Sequence, residues 1–136
     1  MKRFNLFLIF CVLFLFSCAS VKDIPNDVSA EQLIQMGQDM YATGQYGNAI
    51  IYYQTAIERF GQDARVYVES RYELAQVHFK QRKYELAYNE YKEIENLYAT
   101  SSPGTLPAAF GKLAKIGISK IPEKKLPKAS GENSFE

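Results

Sequence analysis

Apolar and small side chains recur every three or four residues through most of this chain, which is the pattern of amphipathic helices. A first helix is predicted to begin at Ser29, because Ser29 and Gln32 have the spacing of a capping box. Glycine, proline and a short basic turn separate the periodic segments from one another. The periodic segments are residues 29–40, 49–60, 64–81, 87–98 and 106–118. The pattern therefore predicts an all-α chain of five helices.

The helical pattern repeats after 38 residues, and the residues that align are of the same kind. The aligned pairs are Tyr41 with Phe79, Tyr46 with Tyr84, Ala49 with Ala87, Tyr53 with Tyr91, Phe60 with Tyr98, and Met36-Gly37 with Leu74-Ala75. A small residue in one helix followed by Ala-x-x-x-aromatic in the next resembles the tetratricopeptide repeat, in which the small residues let paired helices approach closely. The alternative is a four-helix bundle with accidental self-similarity.

The repeat resemblance implies an all-α helical solenoid with two full units and one further helix. The units are residues 29–61 and 62–100, and a helix within residues 105–118 caps the second unit. Together they form a predicted domain over residues 29–118. Repeat stacks bury each unit against a neighbour, so a stack this short is expected to be marginally stable or to rely on a partner.

The first 17 residues have the composition of a secretory signal segment. Lys2 and Arg3 precede an apolar run over residues 4–16, and the small residue Ser17 follows it. An uncleaved transmembrane helix is the alternative, but the run is shorter than the ~20 residues that cross a bilayer core. Length and flanking charge therefore favour a cleaved signal.

The segment Leu15-Phe16-Ser17-Cys18 resembles the lipobox of bacterial lipoproteins. The resemblance implies that Cys18 becomes the first residue of the mature protein and carries acyl chains. Two or three chains would hold the protein on a membrane permanently, whereas one chain binds reversibly. Residues 18–28 are then the lipidated cysteine and a short tether, with a break marked by Pro25.

Composition excludes several classes of function. The chain has 16 basic and 15 acidic side chains, and this near-neutral balance gives no reason to expect a nucleic-acid partner. Cys11 would leave with the signal and Cys18 would be acylated, so no thiol remains for a disulfide or a metal. Residues 119–136 are rich in proline, lysine, glycine and serine and are predicted to be disordered.

No pattern of catalytic residues is visible, so we expect no enzymatic activity, no cofactor and no metal site. There is no phosphate loop and no dinucleotide-binding motif. The only histidine, His78, falls where the repeat packs its two helices, so a core or half-buried position is expected for it rather than a catalytic one. The acidic residues Glu90, Glu93 and Glu95 alternate with lysines and are expected on a solvated helix face.

In the repeat architecture, the first helix of each unit lines a concave face. Placing the repeat consensus on this chain gives a candidate groove for a peptide or partner, formed by Ile34, Gln38, Tyr41, Tyr72, Gln76, Phe79 and Lys80. Such a groove suits an extended peptide with aromatic side chains, with Lys80 placed to meet a terminal carboxylate. The alternative is that Tyr41 and Phe79 only pack against adjoining helices, and the sequence leaves both interpretations open.

The signal, the lipobox and the repeats together resemble the BamD family of lipoproteins. The resemblance includes the 38-residue spacing and the junction Arg59-Phe60-Gly61, followed by a long helix ending Leu74-Ala75-Gln76-Val77-His78-Phe79-Lys80. It implies a periplasm-facing scaffold, lipid-anchored at the outer membrane, that binds the barrel-assembly subunit BamA and unfolded outer-membrane protein segments. Typical members carry more repeats than this chain, so an independent envelope lipoprotein that binds peptides in its groove is the alternative.

Replacing Cys18 by alanine is expected to abolish acylation and leave the signal segment uncleaved, because the cysteine is the acylated residue of the lipobox. Metabolic labelling with a radioactive fatty acid measures this directly. Cys11→Ala, inside the apolar run, is the matched control and should keep the label. Label retained in the Cys18→Ala protein would contradict the lipobox assignment.

Overall fold

The computed structural model describes residues 23–127, and this part of the chain is all-α, as predicted. Its helices are α1 (Ala30–Ala42), α2 (Tyr46–Phe60), α3 (Ala64–Lys80), α4 (Tyr84–Thr100) and α5 (Phe110–Ser119), followed by a 3₁₀ turn at Glu123–Lys125. The predicted signal segment, Cys18 and residues 128–136 lie outside the described residues.

Helix ends follow from local side-chain chemistry. The capping box predicted at Ser29 is confirmed: the Gln32 amide N–H donates to Ser29 Oγ at 3.2 Å, and the Ser29 amide N–H donates to Gln32 Oε1 at 2.9 Å. The carboxylate of Asp63 caps α3 in a similar way by accepting from the amide N–H groups of Arg65 and Val66. These contacts satisfy amide groups that have no partner within the helix.

The helices pack in chain order, each against the next, and α3 also contacts both α1 and α5. Helices α1, α3 and α5 therefore form one layer, and α2 and α4 lie behind them. Two apolar clusters fill the interior, one around Leu33 and Tyr53 and one around Tyr91 and Ile94. Residues that the 38-residue shift aligns have matching burial: Ala49 and Ala87 are fully buried, and so are Tyr53 and Tyr91.

Glycines let helix backbones lie directly on tyrosine rings. A Cβ atom added to Gly37 of α1 would lie 2.4 Å from Tyr53 Cε1, and one added to Gly117 of α5 would lie 2.4 Å from Tyr91 Cζ. Gly111 of α5 meets the ring of Tyr98 in the same manner. The close helix approach predicted for small residues is therefore present, and in each case its partner is a tyrosine.

Helix α5 packs through its small residues. Gly111, Ala114 and Gly117 are buried and face α4, whereas Ile116 is 39% exposed. The rings of Tyr98 and Tyr91 on α4 leave no space for larger side chains at Gly111 and Gly117. Among the large apolar residues of α5, Phe110 and Ile118 pack half-buried against the second apolar cluster.

The packed part of the chain continues beyond residue 118. Ile121 is buried at 4% exposure, and Leu126 packs on the same cluster from the 3₁₀ turn. The predicted start of the disordered tail, at residue 119, is therefore too early in the chain. The prediction of disorder used the average composition of the whole tail. It therefore missed Ile121 and Leu126, the two apolar side chains that hold residues 119–127 on the core.

Gly37→Ala and Gly117→Ala are each expected to lower the free energy of unfolding by about 1–3 kcal/mol, because the new methyl group overlaps a buried ring that cannot move aside. Gly47→Ala is the matched control: it lies in α2 with no atom within 4 Å of the added Cβ, and its stability should be unchanged or raised. Thermal melts measure all three. Equal melting temperatures for Gly37→Ala and wild type would contradict the ring-on-glycine contact.

Candidate functional site

The layer of α1 and α3 carries most of the residues predicted to form a groove. Gln38, Tyr41, Tyr72, Gln76 and Phe79 are half-buried there, and Lys80 is exposed at the end of α3. We refer to these six residues, with Glu73, as the α1–α3 face.

Ile34 does not belong to the α1–α3 face. Its side chain is 4% exposed and sits in the first apolar cluster. Leu33 and Gly37 lie on the side of α1 that packs against α2, and Ile34 contributes to the same core. The assignment of Ile34 to the groove is therefore corrected.

Each aromatic ring of the face is held by a ring of another helix. The ring centroids of Tyr41 and Tyr46 are 5.7 Å apart, and those of Phe79 and Tyr84 are 5.6 Å apart. The ring of Tyr72 contacts both Tyr91, at 6.1 Å, and Phe110, at 5.5 Å. These tilted or edge-to-face contacts fix the rings and leave only part of each surface for a ligand.

The two glutamines of the face connect helices. Gln38 Nε2 donates to Glu73 Oε1 at 3.1 Å and so links α1 to α3. Gln76 Nε2 donates to Tyr91 Oη at 2.7 Å and links α3 to α4. The amides predicted to meet a peptide are therefore already engaged, and each helps to hold the layer in place.

Glu73, which sequence reasoning missed, is the charged centre of the face. Burial raises the pKa of the Glu73 carboxyl, the hydrogen bond from Gln38 opposes the rise, and the nearby Glu69 carboxylate adds to it. A lone glutamate in a helix usually lies in solvent, which is why its position was not singled out. The sequence did contain a signal for Glu73 in its helical register. Glu73 lies between Tyr72 and Gln76 on the same side of α3.

The charge of Glu73 also acts on nearby tyrosines. Burial first, and then the charge of Glu73, raise the pKa values of Tyr53 and Tyr72. The hydroxyl of Tyr53 is buried and has no hydrogen-bond partner among the described residues. A negative, partly desolvated centre on a face that also carries aromatic rings favours a hydrogen-bond donor or a cation. It therefore does not favour the terminal carboxylate that Lys80 suggested.

Among residues 23–127, His78 and Glu90 are two further ionisable residues that the sequence singled out. His78 is half-buried, as expected, and burial lowers its pKa. Glu90 was expected on a solvated helix face, but it forms an ion pair with Arg71 at 2.7 Å. This ion pair joins α4 to α3. Over the same residues, no group of three potential metal ligands is present, and no helix has the length and hydropathy to cross a membrane.

A second concavity lies between α4 and α5 and was not predicted. It has a volume of about 640 Å³ and is lined by Lys92, Glu95, Asn96, Lys112 and Lys115 among others. Lys92 and Glu95 are joined in an ion pair across one turn of α4. Lys112 and Lys115 project from α5, so this cleft is more basic than the α1–α3 face.

Comparison with known proteins adds a distant similarity. The chain is 32% identical over 113 residues to an uncharacterized protein of Treponema pallidum (strain Nichols). The match covers 81% of this chain and 45% of that relative, so the chain spans less than half of the relative's length. No family model matches the chain, and no solved structure matches it. Because that relative is uncharacterized, the similarity does not indicate a ligand or a reaction for the α1–α3 face.

Glu73→Gln is expected to stabilise the protein at neutral pH. Since the folded-state pKa of Glu73 is raised, its contribution to stability is full below the ordinary value of 4.5 and is lost as the pH rises through the raised value. Glutamine keeps an oxygen for Gln38 and carries no charge. The variant should therefore melt above wild type at pH 7, and the difference should disappear near pH 4.

Melting curves from pH 4 to pH 8 measure this difference. Glu85→Gln makes the same chemical change at an exposed position in the first turn of α4 and is the matched control. A Glu73→Gln protein that melts below wild type at pH 7, or a control with the same pH-dependent gain, would contradict a desolvated Glu73.

Proposed function

We propose that this protein is a membrane-tethered interaction scaffold built from tetratricopeptide repeats, which presents the α1–α3 face to a partner protein. The observation that carries the proposal is the composition of that face. It combines fixed aromatic rings, a half-buried carboxyl group and an exposed lysine, all of which keep some surface open. A face of this kind suits recognition of another chain better than chemistry on a small molecule.

The repeat assignment has support from packing. The pairs α1–α2 and α3–α4 bury the same residue types at positions 38 residues apart, namely Ala49 with Ala87 and Tyr53 with Tyr91. Helix α5 lays its glycines on Tyr91 and Tyr98 of α4. It thus covers the side of the second pair that another repeat would cover in a longer stack.

The N-terminal segment is fixed to the helical domain by Arg59, which belongs to the junction that resembles the BamD family. The Arg59 guanidinium donates to the backbone oxygens of Ile24 at 2.8 Å and Pro25 at 2.6 Å. Few residues separate Ile24 from Cys18. If Cys18 is acylated, these bonds hold one end of the domain close to the membrane, which is the arrangement that a tethered scaffold requires.

The partner that we propose is the BamA-like subunit of an outer-membrane β-barrel assembly machinery, with this chain on the periplasmic side of the outer membrane. The support for this choice is the sequence resemblance in the lipobox and repeat junction. The second candidate is an independent envelope lipoprotein that binds extended peptides. The observation that favours it is the Glu73 centre, which could hold a basic or donor side chain of such a peptide.

Co-purification from detergent-solubilised envelopes tests the scaffold. A tagged wild-type chain is expected to retain a BamA-like barrel subunit, and Glu73→Gln should retain less of it because the centre of the α1–α3 face has changed. Glu85→Gln should match wild type. Equal capture by both variants would place the contact elsewhere, while no barrel subunit together with binding of basic peptides would favour the second candidate.

A further inference from the structure

A basic concavity lies at the end of the molecule where α3 stops and the chain after α5 returns. It has a volume of about 470 Å³ and is lined by Arg82, Tyr84, Pro122, Lys124 and Lys125. The three cationic side chains are exposed, and none of them takes part in an ion pair within residues 23–127. They come from segments about 40 residues apart, so only the fold brings them together.

Arg82 also has a backbone conformation that arginine disfavours. Helices α1 and α3 end in the same hydrogen-bonded turn, with Gly44 at φ 76° in the first and Arg82 at φ 61° in the second. In α1 the Gly44 and Gln45 N–H groups donate to Tyr41 O and Met40 O, at 3.0 and 2.8 Å. The corresponding donors after α3, Arg82 and Lys83, reach Phe79 O and His78 O at 2.9 Å each.

These turns occupy equivalent positions 38 residues apart, so they provide an internal comparison. Glycine is the usual residue at this point of a helix end because a Cβ atom crowds the backbone in the left-handed region. The first turn carries the favoured residue and the second does not. Helix termination therefore does not explain arginine at position 82. Residues held in disfavoured conformations are concentrated at functional sites, where another requirement outweighs the strain.

We infer that Arg82, Lys124 and Lys125 form a docking site for an acidic segment of a partner protein. A guanidinium group can hold a carboxylate through two parallel hydrogen bonds, and the lysines supply charge for neighbouring carboxylates. Tyr84 and Pro122 give the concavity an apolar wall against which the segment's backbone can rest. The nearby carboxylates Glu85 and Glu123 are fewer than the surrounding cations and leave a net positive surface.

The position of this site relative to the N-terminal segment favours a protein partner over a lipid headgroup. The N-terminal segment is held by Arg59 at the end of α2, next to the start of α3. Arg82 follows the other end of α3, whose 17 residues span about 25 Å. A domain attached to a membrane through its N-terminal segment would thus turn this site away from that membrane. The residues that line this site differ from those of the α1–α3 face, although Tyr84 contacts Phe79 of that face. The preference for a protein over a lipid headgroup rests on the membrane tether proposed above.

Arg82→Gly is the decisive variant because binding and stability should change in opposite directions. The full chain in detergent is titrated into a fluorescein-labelled peptide with six consecutive glutamates, and anisotropy gives the affinity. Glycine should raise the melting temperature by about 4 °C through loss of strain. It should also weaken peptide binding by about tenfold through loss of a charged hydrogen-bonding group.

Two double variants separate a specific site from general charge attraction. Lys124→Gln with Lys125→Gln should weaken binding of the glutamate peptide by at least as much as Arg82→Gly. Lys112→Gln with Lys115→Gln removes the same charge from the α4–α5 cleft and should leave the affinity within about twofold of wild type.

Four outcomes would overturn the inference. If Arg82→Gly bound the peptide with wild-type affinity, Arg82 would not be part of the site. If both double variants lost the same affinity, the binding would reflect net charge alone. Tighter binding to phosphatidylglycerol vesicles than to the peptide, lost in the same variants, would make the site a lipid-binding surface. A melting temperature below wild type for Arg82→Gly would show that the fold itself requires arginine there.

Discussion

The contact on which this structure depends is that between a buried tyrosine ring and a glycine of another helix. Tyr53 and Tyr91 are fully buried, and the backbones of Gly37 and Gly117 lie directly on their rings. Each contact sets how closely two helices approach, since neither ring has space to move away from an added methyl group. The position of α1 on α2, and of α5 on α4, follows from these contacts.

The same contacts determine the chemistry of the exposed layer. Because Tyr91 is held beneath α5, its hydroxyl is placed to accept the hydrogen bond from Gln76. Close packing of α1 and α3 partly removes Glu73 from water, and Gln38 supplies a hydrogen bond that offsets part of the resulting penalty. Hydrogen bonds from Gln38 and Gln76 thus join the α1–α3 face across helices. Its charged residues are the half-buried Glu73 and the exposed Lys80.

Three features of the domain reduce its stability. Glu73 is a desolvated carboxyl group, the Tyr53 hydroxyl has no partner among the described residues, and Arg82 has a disfavoured backbone conformation. Local exceptions of this kind are expected at functional sites in an otherwise consistent fold. The two contact sites that we propose, one around Glu73 and one around Arg82, therefore carry charged groups of opposite sign.

The sequence by itself determined the features that depend on neighbouring residues. The helical periodicity, the cap formed by Ser29 and Gln32, and the matched alanines at 49 and 87 could all be read from spacing, because helix geometry converts spacing directly into a shared face. Tertiary structure alone decided the burial of Ile34 and Ile121, the desolvation of Glu73, and the convergence of Arg82 with Lys124 and Lys125. Burial and convergence depend on atoms that are distant in sequence, and no local pattern records where those atoms come to lie.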